Sequence, residues 1–204
     1  MASQETKTLY DSVTALGLNL PSGVARDAIA VCVLPGGNLK EGPFAHTRLT
    51  EVPWQDHADD LWVAGTRGDP PYTREDVLQH VARGGKLPRQ LETQLYALHT
   101  HEQMQWVYDL LMKHLHIRHL LVSTADYHLN RGILTLVRVA LDERHPRKFT
   151  IGRLPTRDPP HEALMAGSAT SQSLGEELDR IEAYQEKGDV ATAEDFQNFL
   201  RMNH

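Results

Sequence analysis

The sequence predicts an α/β fold built on a mostly parallel, five-stranded sheet. Short apolar runs alternate with turns and helical patterns, which is the arrangement of repeated βαβ units. The clearest run is AIAVCVLPGGN (28–38), which stays apolar over several residues and then ends in a proline and two glycines. A strand that is apolar on both faces is typical of a parallel sheet, because helices cover both of its sides.

The five predicted strands share an apolar run that is followed by turn residues. They are placed at 28–38, 60–70, 93–100, 119–124 and 148–155.

The clearest predicted helix is THEQMQWVYDLLMKHL (100–115), in which apolar residues recur at helical spacing. Thr100 is the predicted cap, with Gln103 completing a capping box. A second long helix follows the fourth strand. Its inward-facing residues are predicted to be Leu129, Ile133, Leu136, Val137, Ala140 and Leu141, and its outer face is predicted to carry Arg131, Thr135, Arg138 and Asp142.

The C-terminal part of the chain predicts a pair of helices. The first begins near Leu174 and stops at Gly188, and the second is capped by Thr192. Two helices of this length are marginal on their own in water. We therefore expect an α/β domain over residues 1–171 and a helix pair over residues 172–204 that packs on it. Two further helices are expected at 4–16 and 74–83.

Composition limits the classes of function. The formal net charge is −6 and the pI is about 6.0, so no overall basic field would attract nucleic acid or an anionic membrane surface. No run reaches the roughly 18 apolar residues of a membrane span, and the N-terminus lacks the pattern of a signal peptide. Cys32 is the single cysteine, so no intrachain disulfide is expected. A cytoplasmic protein is the simplest expectation.

Polar residues follow four of the predicted strands. In open parallel sheets, ligands bind beyond the carboxyl ends of the strands, so these residues are expected to meet at one rim. They are Gly36, Gly37 and Asn38; Gly65, Thr66 and Arg67; His99, Thr100, His101 and Glu102; and Ser123, Thr124, Asp126, His128 and Arg131.

Two interpretations of the rim remain open on the residues alone. The Gly36–Gly37 turn can present backbone amides to a ligand or simply end a strand. His128 and Arg131 lie one turn apart at a predicted helix start, which favours a phosphate or carboxylate. Alternatively, Asp126 caps that helix and pairs with Arg131 on the surface.

A metal is not favoured. His99 and His101 alternate near a strand end, and together with Asp126 and His128 they would supply metal-type ligands. However, a helix that starts at Thr100 breaks the alternation, and no recognised metal motif is present. Whether His99 and His101 bind a metal stays open.

Four motifs together resemble a known family. They are D-x-I-x-V-x-V-L-P-G-G (27–37), WVAGTRG (62–68), ALHTHEQ (97–103) and LLVSTADYHLNRG (120–132). Their order is similar to that of the SanA/ElyC/YdcF-like family, a bacterial domain of unknown function, over roughly residues 27–155. In the last motif, Ser123, Tyr127, His128 and Arg131 stand where the family pattern expects them. The resemblance implies a three-layer, Rossmann-like fold and a ligand site at the rim, with Asp126 as a helix cap.

Three functions are then expected as alternatives. The first is an enzyme, or a former enzyme, acting on a phosphorylated or nucleotide-like molecule. His128 is its acid or base, Glu102 or Asp126 orients His128, and Ser123 is the best available nucleophile. The second is a non-catalytic module that binds a nucleotide or S-adenosylmethionine on the same rim. The residues expected to contact the ligand are Gly36, Gly37, Asn38, Gly65, Thr66, Thr100, Tyr127 and Arg131. The third is an interaction protein whose C-terminal helices contact a partner or a second copy of the chain.

Overall fold

The structure is a computed structural model that describes residues 2–35, 52–66, 73–83, 85–124, 126–143, 147–155 and 174–203. The side chains of Asp126 and Tyr127 lie outside the described part of the chain.

The described residues form a five-stranded sheet in which every neighbouring pair of strands is parallel. The strands are β1 (Ile29–Val33), β2 (Asp60–Thr66), β3 (Gln90–Ala97), β4 (His119–Ser123) and β5 (Thr150–Arg153). Their order across the sheet is β3-β2-β1-β4-β5. The predicted α/β class and strand number are confirmed, and the order is that of the Rossmann fold, whose chain direction across the sheet reverses between β1 and β4.

Six helices accompany the sheet in the described ranges. They are α1 (Gln4–Thr14), α2 (Arg74–Ala82), α3 (Thr100–Lys113), α4 (Asp126–Asp142), α5 (Leu174–Glu186) and α6 (Ala193–Asn203). None of these helices is long and apolar enough to cross a membrane.

The core lies in two layers, one on each face of the sheet. Alternate residues of β1 point to opposite faces, as a strand requires. Cys32 belongs to the apolar cluster that includes residues of α1, α3, α4, α5 and α6. Val33 belongs to the cluster that includes residues of α2 and the segment around Trp54. Residues of α2 and α4 belong to the clusters on opposite faces, which is what right-handed crossovers require when the chain moves across the sheet in opposite directions before and after the reversal. The three-layer arrangement is therefore present.

Helix α4 is buried on more sides than its sequence predicts. Thr135 is only 2% exposed and the side chain of Arg131 only 12%, although both were expected on an outer face. The reason is that α5 and α6 cover this side of α4: Ile181, Phe196 and Phe199 belong to the same apolar cluster as the α4 residues. The prediction that Arg131 and Thr135 lie on a solvent-exposed face of α4 was thus wrong.

The C-terminal helix pair begins and ends close to the predicted positions. Thr192 donates its backbone N–H to Asp195 Oδ2 (3.0 Å), and Asp195 N–H donates to Thr192 Oγ1 (3.2 Å). This reciprocal pair confirms the predicted cap at the start of α6. The division into a domain at 1–171 and a helix pair at 172–204 stays a prediction.

Candidate functional site

The carboxyl ends of β1 and β4 lie side by side at the point where the strand order reverses. Leu34 N–H donates to the backbone oxygen of Ser123 (2.9 Å), and Thr124 Oγ1 donates to the backbone oxygen of Leu34 (2.7 Å). These bonds hold the two chain segments together one residue beyond the strands. In open α/β sheets the crevice outside such a switch point is the usual place for a ligand.

Ser123 ends β4 with its side chain inside the molecule. The residue is fully buried, and its Oγ has no hydrogen-bond partner in the described part of the chain. A buried hydroxyl without a partner costs about 1–3 kcal/mol, so most such groups are satisfied or have a reason to be left unpaired. At the switch point, the Thr124 hydroxyl is therefore already hydrogen-bonded, whereas the Ser123 hydroxyl is not.

Helix α4 begins immediately beyond β4 and packs tightly on the end of β1. A Cβ atom at Gly132 would lie 3.0 Å from Leu34 Cδ1, so a side chain there would have to displace a buried leucine. The glycine lets the first turns of α4 approach β1 closely. His128 lies in this part of α4 and is partly buried. Because α4 starts directly after β4, its amino end lies at the carboxyl edge of the sheet. This end of a helix carries partial positive charge.

Arg131 is held by a carboxylate of the same chain. Its Nε lies 2.8 Å from Oε1 of Glu177 on α5, and its Nη1 is 3.5 Å from Thr100 Oγ1. Its guanidinium also lies over the ring of Tyr184, 5.6 Å from the centroid. The sequence predicts that the positive charge of Arg131 binds a ligand anion. In the structure this charge is paired with Glu177.

Glu177 is the residue of this region that sequence reasoning missed. It is fully buried, and its Oε2 has no hydrogen-bond partner among the described residues. Burial raises the pKa of the Glu177 carboxyl, and the neighbouring Arg131 lowers it by less. The segment EELDRIE (176–182) is rich in charged residues, as a solvated helix face is, so the sequence does not separate Glu177 from its exposed neighbours. Only its contact with Arg131 on α4 does so.

The amino end of α3 is capped one residue earlier than predicted. His99 is the cap and accepts a hydrogen bond from Glu102 N–H, while Glu102 Oε2 accepts one from Leu98 N–H at 2.6 Å. Gln103 cannot complete a capping box, because its buried side chain donates instead to the backbone oxygen of Ala64. Thr100 is the first helical residue and not the cap. The structure gives Glu102 a capping role, and its catalytic role stays a prediction.

The histidines near the rim do not gather around one point. The His99 and His101 rings are 6.3 Å apart, and His101 Nδ1 lies 4.0 Å from Asp189 Oδ1. Over the described ranges, no group of three His, Cys, Asp or Glu side chains is placed to hold a metal ion. Cys32 lies fully buried in β1, and burial raises the pKa of its thiol far above the ordinary value.

The remaining predicted ligand contacts have different outcomes. Gly65 and Thr66 do end β2, but a Cβ atom at Gly65 would lie 3.3 Å from Leu95 Cδ2, so this glycine is packed against β3. Several contacts lie outside the described residues: Gly36, Gly37, Asn38, Arg67 and the side chains of Asp126 and Tyr127. Around the switch point between β1 and β4, the described candidate residues are therefore Ser123, Thr124, His128 and the group formed by Arg131, Glu177 and Thr100.

No protein-family model, no curated protein and no solved structure matches the chain. Membership of the SanA/ElyC/YdcF-like family stays a prediction that rests on the four sequence motifs.

Proposed function

We propose that the protein binds an anionic small molecule, containing a phosphate or a nucleotide, at the switch point between β1 and β4. The observation that supports this proposal is the parallel strand order β3-β2-β1-β4-β5, in which the direction of the chain across the sheet reverses between β1 and β4. In open α/β sheets, ligands generally bind in the crevice outside the carboxyl ends of the strands at such a reversal.

The chemistry at the crevice favours an anion for a second reason. The first turn of α4 carries backbone N–H groups that have no partner within the helix, and its dipole attracts negative charge. His128 can add a donor, and the buried Ser123 hydroxyl can donate or accept. The charge of Arg131 is already paired with Glu177, so we expect Arg131 to contribute little charge to a ligand. Its role is then to hold Thr100 and α5 in place beside α4.

Calorimetric titration and thermal-shift measurements test this proposal. The ligands are inorganic phosphate, ATP, a sugar phosphate and S-adenosylmethionine, each with wild type, His128→Ala and Ser123→Ala. The matched control is His116→Ala, which removes an exposed histidine that precedes β4 and so lies at the opposite edge of the sheet. We expect saturable binding that weakens by about tenfold or more in the two rim variants and is unchanged in the control. Identical responses of wild type and both rim variants would contradict the proposal.

An acid–base enzyme is the second candidate, and the unpartnered Ser123 Oγ favours it. A serine hydroxyl becomes a nucleophile once a base removes its proton, and His128 is the base that the sequence places nearest. Because Ser123 is fully buried, this role requires the end of β4 to open to the substrate. Turnover of p-nitrophenyl phosphate that is lost in His128→Ala and kept in His116→Ala would support this candidate. Saturable binding without turnover would assign the site to a non-catalytic module.

A cytoplasmic location, the absence of nucleic-acid and membrane partners, and a contact with a second copy through the C-terminal helices stay predictions.

A further inference from the structure

A separate cavity of about 570 Å³ lies between the end of α1, the first turns of α4 and the end of β5. Small-molecule sites in proteins commonly occupy about 300–1,000 Å³. Its walls are largely apolar, with Tyr10, Leu18, Leu129 and Pro155 around the opening, and its charged group is Arg153.

Arg153 carries a charge that no described residue compensates. None of the ion pairs among the described residues includes it. Its Nη1 donates to the backbone oxygen of Thr14 (3.0 Å) at the carboxyl end of α1, and its Nε is buried without a partner. Nη2 makes no hydrogen bond to the described residues and is not among their buried unpaired atoms, so it is the donor of this guanidinium that a ligand can reach.

The charge and the walls of the cavity define the chemistry of the ligand. Among the described residues that line the cavity, Arg153 is the single charged one, so it compensates one negative charge, which matches a monocarboxylate better than a phosphate dianion. An apolar body suits the walls formed by Leu18, Leu129 and Pro155.

The wall around Arg153 is held in place by a buried amide. Asn130 is fully buried, and its Nδ2 donates to Tyr10 O (3.1 Å) and to Thr14 Oγ1 (2.7 Å). These bonds fix the end of α1 against α4. The cavity is therefore bounded by two helices that hydrogen bonds of the protein itself hold together, which reduces the ordering cost of binding.

The cavity is distinct from the Arg131–Glu177 group. Leu129 lines the cavity, and Arg131 follows it by two residues on α4. Two residues correspond to about 200° around a helix, so the two side chains point to opposite sides of α4.

We propose that this cavity binds an organic monocarboxylate with an apolar body, and that Arg153 pairs with the carboxylate through Nη2. The proposal does not depend on the phosphate site at the β1–β4 switch point.

Isothermal titration calorimetry with phenylbutyrate and octanoate tests it, with phenylbutyramide and octanamide as neutral probes of the same shape. The variants are Arg153→Met, which removes the charge, and Arg153→Lys, which keeps the charge but lacks the guanidinium that also bonds Thr14 O. Leu18→Trp reduces the cavity at a partly exposed position, and it decides the question if Arg153→Met does not fold. Arg118→Met is the matched control, because it removes an exposed arginine next to the amino end of β4.

We expect one saturable site for the carboxylates in wild type and in Arg118→Met, with the amides weaker by about tenfold or more. Arg153→Met and Leu18→Trp are expected to weaken carboxylate binding by a similar factor, and Arg153→Lys by less. The proposal is overturned if wild type shows no saturable binding of either carboxylate, or if carboxylate and amide bind equally. It is also overturned if Arg153→Met, where folded, or Leu18→Trp binds like wild type.

Discussion

The buried Arg131–Glu177 pair predicts a large and pH-dependent loss of stability when the arginine is removed. Arg131→Met keeps most of the side-chain length but leaves Glu177, which is 0% exposed, without the cation that lies 2.8 Å away. Removing one partner of a buried ion pair costs about 3–5 kcal/mol. For a chain of this size the melting temperature is then expected to fall by roughly 6–20 °C.

The pH dependence follows from the two opposing effects on Glu177. Burial raises the pKa of this carboxyl and Arg131 lowers it, so in Arg131→Met the pKa of the folded state rises further above that of the unfolded chain. A carboxyl with a raised folded-state pKa stabilises the fold at low pH, and this stabilisation is lost as the pH rises through the folded-state pKa. The stability difference between wild type and Arg131→Met should therefore shrink from about pH 8 to about pH 5.

Urea unfolding of a double-mutant cycle measures this prediction. Arg131→Met combined with Glu177→Leu should recover most of the lost stability, because apolar replacement of a buried ion pair is often close to neutral. Arg138→Met is the control, since its partners Asp142 and Asp195 both reach the surface, with side chains 50% and 24% exposed, and such surface pairs contribute only about 0–1 kcal/mol each. A loss below about 1 kcal/mol in Arg131→Met, or an equal loss at both pH values, would refute the reasoning.

Three further predictions concern individual packing and capping positions. Gly152→Ala is expected to destabilise the protein by about 3 kcal/mol or more in urea unfolding, because its Cβ would lie 1.9 Å from the backbone oxygen of Leu18. Gly65→Ala is the control and should lose less stability, because its Cβ would lie 3.3 Å from the end of the Leu95 side chain; an equal effect of the two would contradict this. Thr192→Ala should lower stability by about 1 kcal/mol through loss of the α6 cap, and an unchanged unfolding midpoint would count against that cap. The Cys32 thiol should resist a disulfide exchange reagent in the native protein and react fully in guanidinium, since burial raises its pKa; stoichiometric labelling of the native protein would show that the thiol is accessible.

Much of the fold was predictable because each strand carries its own local signal. The run at Ile29–Val33 is apolar on both faces, and this pattern alone indicates a central strand of a parallel sheet. β3 was placed too late, at 93 instead of Gln90, because its first residues alternate polar and apolar and pair with β2 at the sheet edge. Strand order has no local signal, since it depends on which crossover passes over which face.

The site was predictable only where its residues directly follow strands. Ser123 and His128 are at or just beyond the end of β4, as the rule for parallel sheets predicts. Glu177 was not predictable, because it is 46 residues from Arg131 and lies on a helix whose charged pattern resembles a solvated face. Arg153 was also missed: it belongs to the predicted fifth strand, but its uncompensated charge is visible only from the contacts around α1.

The most direct test of the phosphate site is a crystal structure of the protein with whichever phosphate-containing ligand gives the largest thermal shift. We expect the phosphate beyond β1 and β4, within hydrogen-bond distance of the backbone amides of the first turn of α4 and of Ser123 or His128. A phosphate bound at the amino edge of the sheet, near His116, or at any place without contact to these residues would contradict the account.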